Sequence, residues 1–163
     1  IAHKPGIRAI DRAREGDVAC AVIPRKEPGF EEKVLTALRN YQIDMVVLAG
    51  FLGILSKNFI EAFRGPIINI HPSLIPSFCG KGFYGLRVHQ AALDYGVKVT
   101  GATVHYVNEV PDGGKIILQR AVEILPDDTA EVLQRRVMEQ AEWKLLPAAA
   151  EIVAAEVVRT AQE

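Results

Sequence analysis

The sequence is poor in the features that mark several large protein classes. Cys20 and Cys79 are the only cysteines in 163 residues. They are too few for a disulfide framework or a thiolate metal cluster, so a reducing cytoplasm is the expected setting. No apolar run approaches the roughly 20 residues that a membrane-crossing helix needs. The longest, 43–55, is interrupted by Asp44, Gly50 and Gly53. No secretory pattern opens the chain. Neither sign of charge dominates, because 19 Lys and Arg are matched by 20 Asp and Glu. The basic residues are scattered, which leaves no footprint for nucleic acid. The sequence also lacks G-x-x-x-x-G-K-[ST] and G-x-S-x-G. It therefore offers no Walker-type phosphate loop and no nucleophile elbow.

What remains is an ordinary globular composition, 49% hydrophobic and 24% charged, in one expected domain over 1–163 with chain enough for a sizeable core. Residues 1–6 read as the tail of a strand entering a turn, so an N-terminal strand is apparently missing. Residues 8–14 suit a helix closed by Gly16, and 17–23 a short buried strand stopped by Pro24. Phe30, Val34 and Leu38 fall four apart, an amphipathic helix over 30–40. Residues 44–49 and 66–71 are nearly continuous apolar runs, as parallel strands covered on both faces should be, with a short helix over 57–63 between them. This alternation predicts an α/β domain with a mostly parallel sheet flanked by helices. The character then changes. Residues 73–85 form a long loop rich in Gly and Pro, of the kind that is often functional, and 86–95 is helical. Two longer strands, 97–107 and 115–124, are joined by the turn 108–114. A helix begins at Thr129 with Asp127 or Asp128 as its N-cap, and Pro147 is expected to kink or break it.

The octet at 67–74 (I-I-N-I-H-P-S-L) carries most of the chemistry. Residues two apart on a strand share a face, so Asn69 and His71 project together, and Pro72 ends the strand. An amide donor beside an imidazole suits acyl transfer, where one group holds a developing oxyanion and the other manages a proton. The same spacing also suits two side chains that merely satisfy local backbone groups. In open parallel sheets, ligands bind beyond the carboxyl ends of strands, which places the loops after Gly50 and His71 in one cleft. Asp112, in N-E-V-P-D-G-G, reads first as turn chemistry. Brought near His71, its carboxylate would favour the imidazolium, while Gly113 and Gly114 would let the backbone turn sharply and approach a ligand. His105 lies on a strand in phase with Thr103 and reads as a supporting residue behind the site. His3 and His89 have no ligand spacing, so no metal is expected. Cys79, beside Lys81, is a weak candidate nucleophile with no base next to it.

Four segments, V-V-L-A-G-F at 46–51, N-I-H-P-S-L-I-P at 69–76, G-A-T-V-H-Y-V at 101–107 and D-G-G-K-I-I-L-Q at 112–119, occur together and in order. In this the chain resembles the phosphoribosylglycinamide formyltransferases, the glycinamide ribonucleotide transformylases of purine synthesis, over about residues 1–155. The resemblance implies a Rossmann-like formyltransferase fold. It also implies transfer of a formyl group from 10-formyltetrahydrofolate to the primary amine of glycinamide ribonucleotide, without a metal and without a covalent enzyme intermediate. By the same resemblance Asn69, His71 and Asp112 match the catalytic trio. Asn69, Pro72 and Glu142 fall on the substrate side. Gly50, Leu52, Gly53, Ile54 and Leu55, with Val110, Pro111 and Asp112, match the walls of the folate pocket. The implied partners are these two small molecules, not nucleic acid or membrane, with a homodimer left open.

Two departures stand out. The family's N-terminal strand and its phosphate-gripping loop at a helix N-terminus have no counterpart here, and Gly53 stands where the family often has Arg. The alternatives are a formyltetrahydrofolate deformylase, another folate-dependent formyltransferase such as the methionyl-tRNA enzyme, or a non-catalytic folate-binding relative. The methionyl-tRNA enzyme would need a further domain and a basic surface.

Overall fold

The computed structural model describes residues 1–162 and divides into two compact units, 1–43 and 44–163. In the first unit, helix α1 (Arg8–Glu15) ends at Gly16 and helix α2 (Phe30–Asn40) buries Val34 and Leu38, the stripe its spacing predicts. The strand expected over 17–23 is reduced to one parallel bridge between Ala2 and Val22. That bridge rests on Ala2 N–H donating to the Ala21 carbonyl and Ile23 N–H to that of Ala2, each 2.8 Å. Asp17 takes a left-handed backbone (φ 51) and Val18 is exposed, so the apolar run begins outside any ladder.

The second unit is a four-stranded sheet in the order β1-β2-β3-β4. Its elements are β1 (Val46–Leu48), helix α3 (Lys57–Ala62), β2 (Ile67–His71), helix α4 (Leu86–Tyr95), β3 (Val99–Tyr106) and β4 (Ile116–Glu123). Helix α5 (Ala130–Val137), a π-helical turn (Met138–Glu142) and helix α6 (Trp143–Gln162) follow. The α/β architecture flanked by helices is as expected. Strand directions are mixed: β1 and β2 pair in parallel, whereas β2–β3 and β3–β4 are antiparallel. The two long strands form a hairpin, and a hairpin cannot be parallel.

The core lies between the sheet and the last two helices. Ile68, Ala102, Val104 and Val122 meet Leu133, Val137, Leu145 and Val153 there. Alternation does the sorting, since the residues between Ile68 and Ile70, and on either side of Val104, project to the opposite face.

Two sequence readings at the C-terminal helices need correction. Thr129, not Asp127 or Asp128, caps α5, its hydroxyl accepting from Val132 N–H. Asp128 is occupied elsewhere, accepting from Leu125 N–H and pairing with both terminal nitrogens of Arg136. Pro147 does not break the helix: α6 runs from Trp143 through it to Gln162. Pro147 lies one turn from the helix start, so only the Trp143 carbonyl loses its i+4 donor, and the alanines that follow are strong helix formers. The irregularity falls earlier, in the π turn. Such turns are often found at functional sites.

The hairpin turn also differs from its reading. Its left-handed residue is Asp112 (φ 55), not either following glycine. Gly114 is required because a Cβ there would overlap the Tyr106 carbonyl oxygen, the same backbone that pairs Tyr106 N–H with Lys115 at 2.9 Å. Gly114→Ala is accordingly expected to lower folding stability by about 1–3 kcal/mol, read as a shift in the urea midpoint; an unshifted midpoint would contradict the close approach.

Candidate active site

Strand register builds the site. Asn69 and His71 share a face of β2, and the antiparallel pairing sets Asn69 opposite His105 and His71 opposite Thr103. Four polar side chains therefore crowd one patch where an apolar strand ends. A bulge in the β3–β4 ladder falls at Val104/His105, and bulges beside sites re-aim side chains. Thr103 ties down the chain that follows His71. Its hydroxyl donates to the Ser73 carbonyl (2.7 Å) and accepts from Ile75 N–H (3.1 Å) and from Gln119 (2.9 Å).

The hairpin turn then brings Asp112 onto this patch. Its Oδ2 accepts from Gly80 N–H at 2.8 Å and stands 3.5 Å from His71 Nδ1, while Oδ1 stands 3.5 Å from His105 Nε2. Burial alone would raise the Asp112 pKa. The His105 hydrogen bond, the Gly80 N–H and the two imidazole charges outweigh it and hold the carboxyl below its usual range. Asp112 is thus a carboxylate at neutral pH. His71 donates from Nε2 to the Phe78 carbonyl at 2.9 Å, so each of its ring nitrogens faces an oxygen acceptor and can carry a proton. His105 donates from Nδ1 to the Tyr106 carbonyl at 2.8 Å, while its Nε2, which faces Asp112, stands 3.2 Å from the Asn69 amide nitrogen. Phe78, like Asp112, has a left-handed backbone (φ 50), a costly conformation for a bulky residue. Both strained residues hold His71.

These side chains open onto a cavity of about 440 Å3. Its wall carries Asn69, His71, Pro72 and Asp112, the segment 50–55, Val110 and Pro111, and Glu142 with His105. His105 is nearer the centre than its strand position suggested, in contact with both Asn69 and Asp112. The π turn ends on Glu142, whose pKa burial raises. Sequence reasoning missed the loop residues 81–84 and Gln134 and Met138, all on the cavity wall. The glycine-rich character of 73–85 was the one signal available. Cys79 is not among the lining residues. Its thiol donates to the Pro76 carbonyl at 3.3 Å, and burial first, then Asp112, pushes its pKa up, against a nucleophilic role. Among the described residues no group of three His, Cys, Asp or Glu could hold a metal ion, and no helix is long and apolar enough to cross a membrane.

A third histidine, read in the sequence only as lacking ligand spacing, is buried. His89 on α4 is fully buried, and neither ring nitrogen has a hydrogen-bond partner among the described residues. Burial, then repulsion from His71, lowers its pKa to about 4. An unfolded histidine titrates near 6.5, so between these values the unfolded chain binds the extra proton and stability falls as pH drops. The loss is expected to reach up to about 3 kcal/mol by pH 4. Urea midpoints from pH 7 to 4 should show this slope in the wild type and a flatter one in His89→Phe, whatever its baseline; equal slopes would contradict it.

Comparison with known proteins identifies the family. A family model described as Formyl transferase matches residues 1–150. The chain is 37% identical over 145 residues to the chloroplastic phosphoribosylglycinamide formyltransferase of Arabidopsis thaliana, covering 86% of this chain and 50% of that protein. It is 40% identical over 163 residues to the human trifunctional purine biosynthetic protein adenosine-3, covering 98% of this chain and 16% of that one. The chain thus spans half or less of the length of these relatives. In structure it is similar to the phosphoribosylglycinamide formyltransferase of Anaplasma phagocytophilum, with a TM-score of 0.85 at 38% identity, covering 94% of this chain and 72% of the other. With a family match over most of its length, the chain belongs to the formyl transferase family.

Proposed function

We propose that this chain transfers the formyl group of 10-formyltetrahydrofolate to the primary amine of glycinamide ribonucleotide, as a single formyltransferase domain over 1–163. The observation that carries the reading is the convergence of Asn69, His71 and Asp112 on one cavity wall, with His71 held between the Asp112 carboxylate at 3.5 Å and the Phe78 carbonyl at 2.9 Å. The amine attacks the formyl carbon, whose oxygen gains negative charge. Asn69 donates to that oxyanion, as does His71 once its Nε2–H turns from the Phe78 carbonyl to the substrate, and such donors act most strongly where water is excluded. As the tetrahedral species collapses, the bond to the folate N10 breaks and N10 takes a proton, while the former amine loses one. Asp112 holds His71 in place and accepts or relays the amine proton. Glu142, at the end of the π turn, holds the sugar hydroxyls of the ribonucleotide. The segments 50–55 and 110–112 hold the pterin, with Pro72 beside the substrate. The reading calls for no metal, nucleic acid or membrane. It suits a cytoplasmic setting and leaves a homodimer as an assembly open to sedimentation analysis.

The experiment supplies formyl-labelled 10-formyltetrahydrofolate and glycinamide ribonucleotide and follows where the label goes. Label on the ribonucleotide amine is expected; label released as formate regardless of the amine would instead identify a deformylase. Asn69→Ala and His71→Ala are each expected to lower kcat by about 10²–10³-fold, with folding unchanged by circular dichroism. Activity surviving both changes would overturn the assignment.

A further inference from the structure

The cavity wall is unevenly charged. It carries two carboxylates, Asp112 and Glu142, and among its lining residues a single lysine or arginine, Lys81. A substrate with an anionic end thus meets one permanent cation. Lys81 is exposed and lies between Gly80 (φ 86) and Gly82 (φ 96). A Cβ at either glycine would meet nothing within 4 Å, so the two serve backbone conformation and not close packing.

The loop that bears Lys81 is fixed on both sides. Gly80 N–H is bound to Asp112 at 2.8 Å. Phe78 packs edge-on against Phe83, ring centroids 6.3 Å apart, and against Tyr95 at 6.0 Å. The Arg87 guanidinium sits over the Tyr84 ring at 4.9 Å and occupies that face. The neighbouring wall is apolar and open: Leu52, Ile54 and Val110 are each more than 60% exposed, and Tyr84 is 44% exposed. An apolar lip with one ammonium beside it fits a ligand that has an apolar body and an oxyanion at its end.

We infer that Lys81 binds the glutamyl carboxylate of the formyl donor, with Leu52, Ile54, Val110 and Tyr84 covering the aromatic segment that leads to it. Lys81 thereby sets the preference for a donor that carries this carboxylate. The inference rests on the formyl-donor reading above. It favours the donor over the phosphate of the acceptor because the apolar lip matches an aminobenzoyl group and not a phosphorylated sugar.

Two measurements test it. In the first, tetrahydrofolate and tetrahydropteroate, which lacks the glutamate, are titrated into the 163-residue chain and its Lys81→Ala variant. The wild type is expected to bind tetrahydrofolate about five- to tenfold more tightly than tetrahydropteroate. Lys81→Ala should erase that difference and Lys81→Arg retain it. A difference that persists in Lys81→Ala would overturn the role of Lys81. Failure of tetrahydrofolate itself to bind the wild type would overturn the formyl-donor reading along with it. In the second, Lys81→Ala is expected to raise KM for the formyl donor by a similar factor with kcat within about twofold, the signature of lost uniform binding, and to lessen its salt dependence. A rise confined to KM for the ribonucleotide would assign Lys81 to the phosphate and overturn the inference.

Discussion

The Asp112 carboxylate is the constraint on which the rest of the site depends. A charge drawn out of water is costly unless it is paired and hydrogen-bonded, and this partly buried one is met from three directions: Gly80 N–H from the long loop, His71 from β2 and His105 from β3. Each contact joins a different part of the chain, so one side chain fixes the loop, the strand end and the hairpin turn relative to one another. The left-handed backbone at Asp112 and at Phe78 shows that the fold accepts local strain to keep those contacts. Phe78 lends His71 its carbonyl, and two residues on Gly80 lends Asp112 its N–H. The same short stretch of loop thus serves both members of the pair.

The sheet makes this possible with little freedom. An antiparallel register that sets Asn69 against His105 and His71 against Thr103 places amide, imidazoles and hydroxyl on one face while Ile68 and Val104 fill the core. A slip of one residue would reverse every side chain on β2 and send Asn69 and His71 into the apolar interior. Core burial and site geometry are therefore selected by one alignment. On the far side of the cavity, the π turn between α5 and α6 places Glu142 on the wall while Ala141, one residue earlier, stays in the core.

Much of this was legible in the sequence where one local rule decided the outcome. Period-two alternation put Asn69 and His71 together, Pro72 ended their strand, and four-residue spacing gave the buried stripe of α2. Asp112 was not legible from its own surroundings, because Pro-Asp-Gly reads equally well as a turn. It is both, a left-handed turn residue and the partner of two histidines, and the resemblance of the flanking segments singled it out. His105 was placed too far back, because the bulge that re-aims it depends on how β4 pairs and leaves no trace in β3. Backbone groups cannot be read from side-chain identity at all, so the Phe78 carbonyl and Gly80 N–H were invisible. Pro147 was overread: a proline one turn into a helix removes a single donor, and the alanines beyond it carry the helix on.

If Asp112 acts by holding His71, the two residues should fail as a unit. The most direct test is a double-mutant cycle on kcat/KM for formyl transfer with His71→Ala, Asp112→Asn and both together. The account predicts that the double variant loses barely more than His71→Ala alone, so that the single losses overlap by at least about tenfold. Losses that simply multiply would mean that the two side chains work independently, and would contradict a site built around the Asp112 carboxylate.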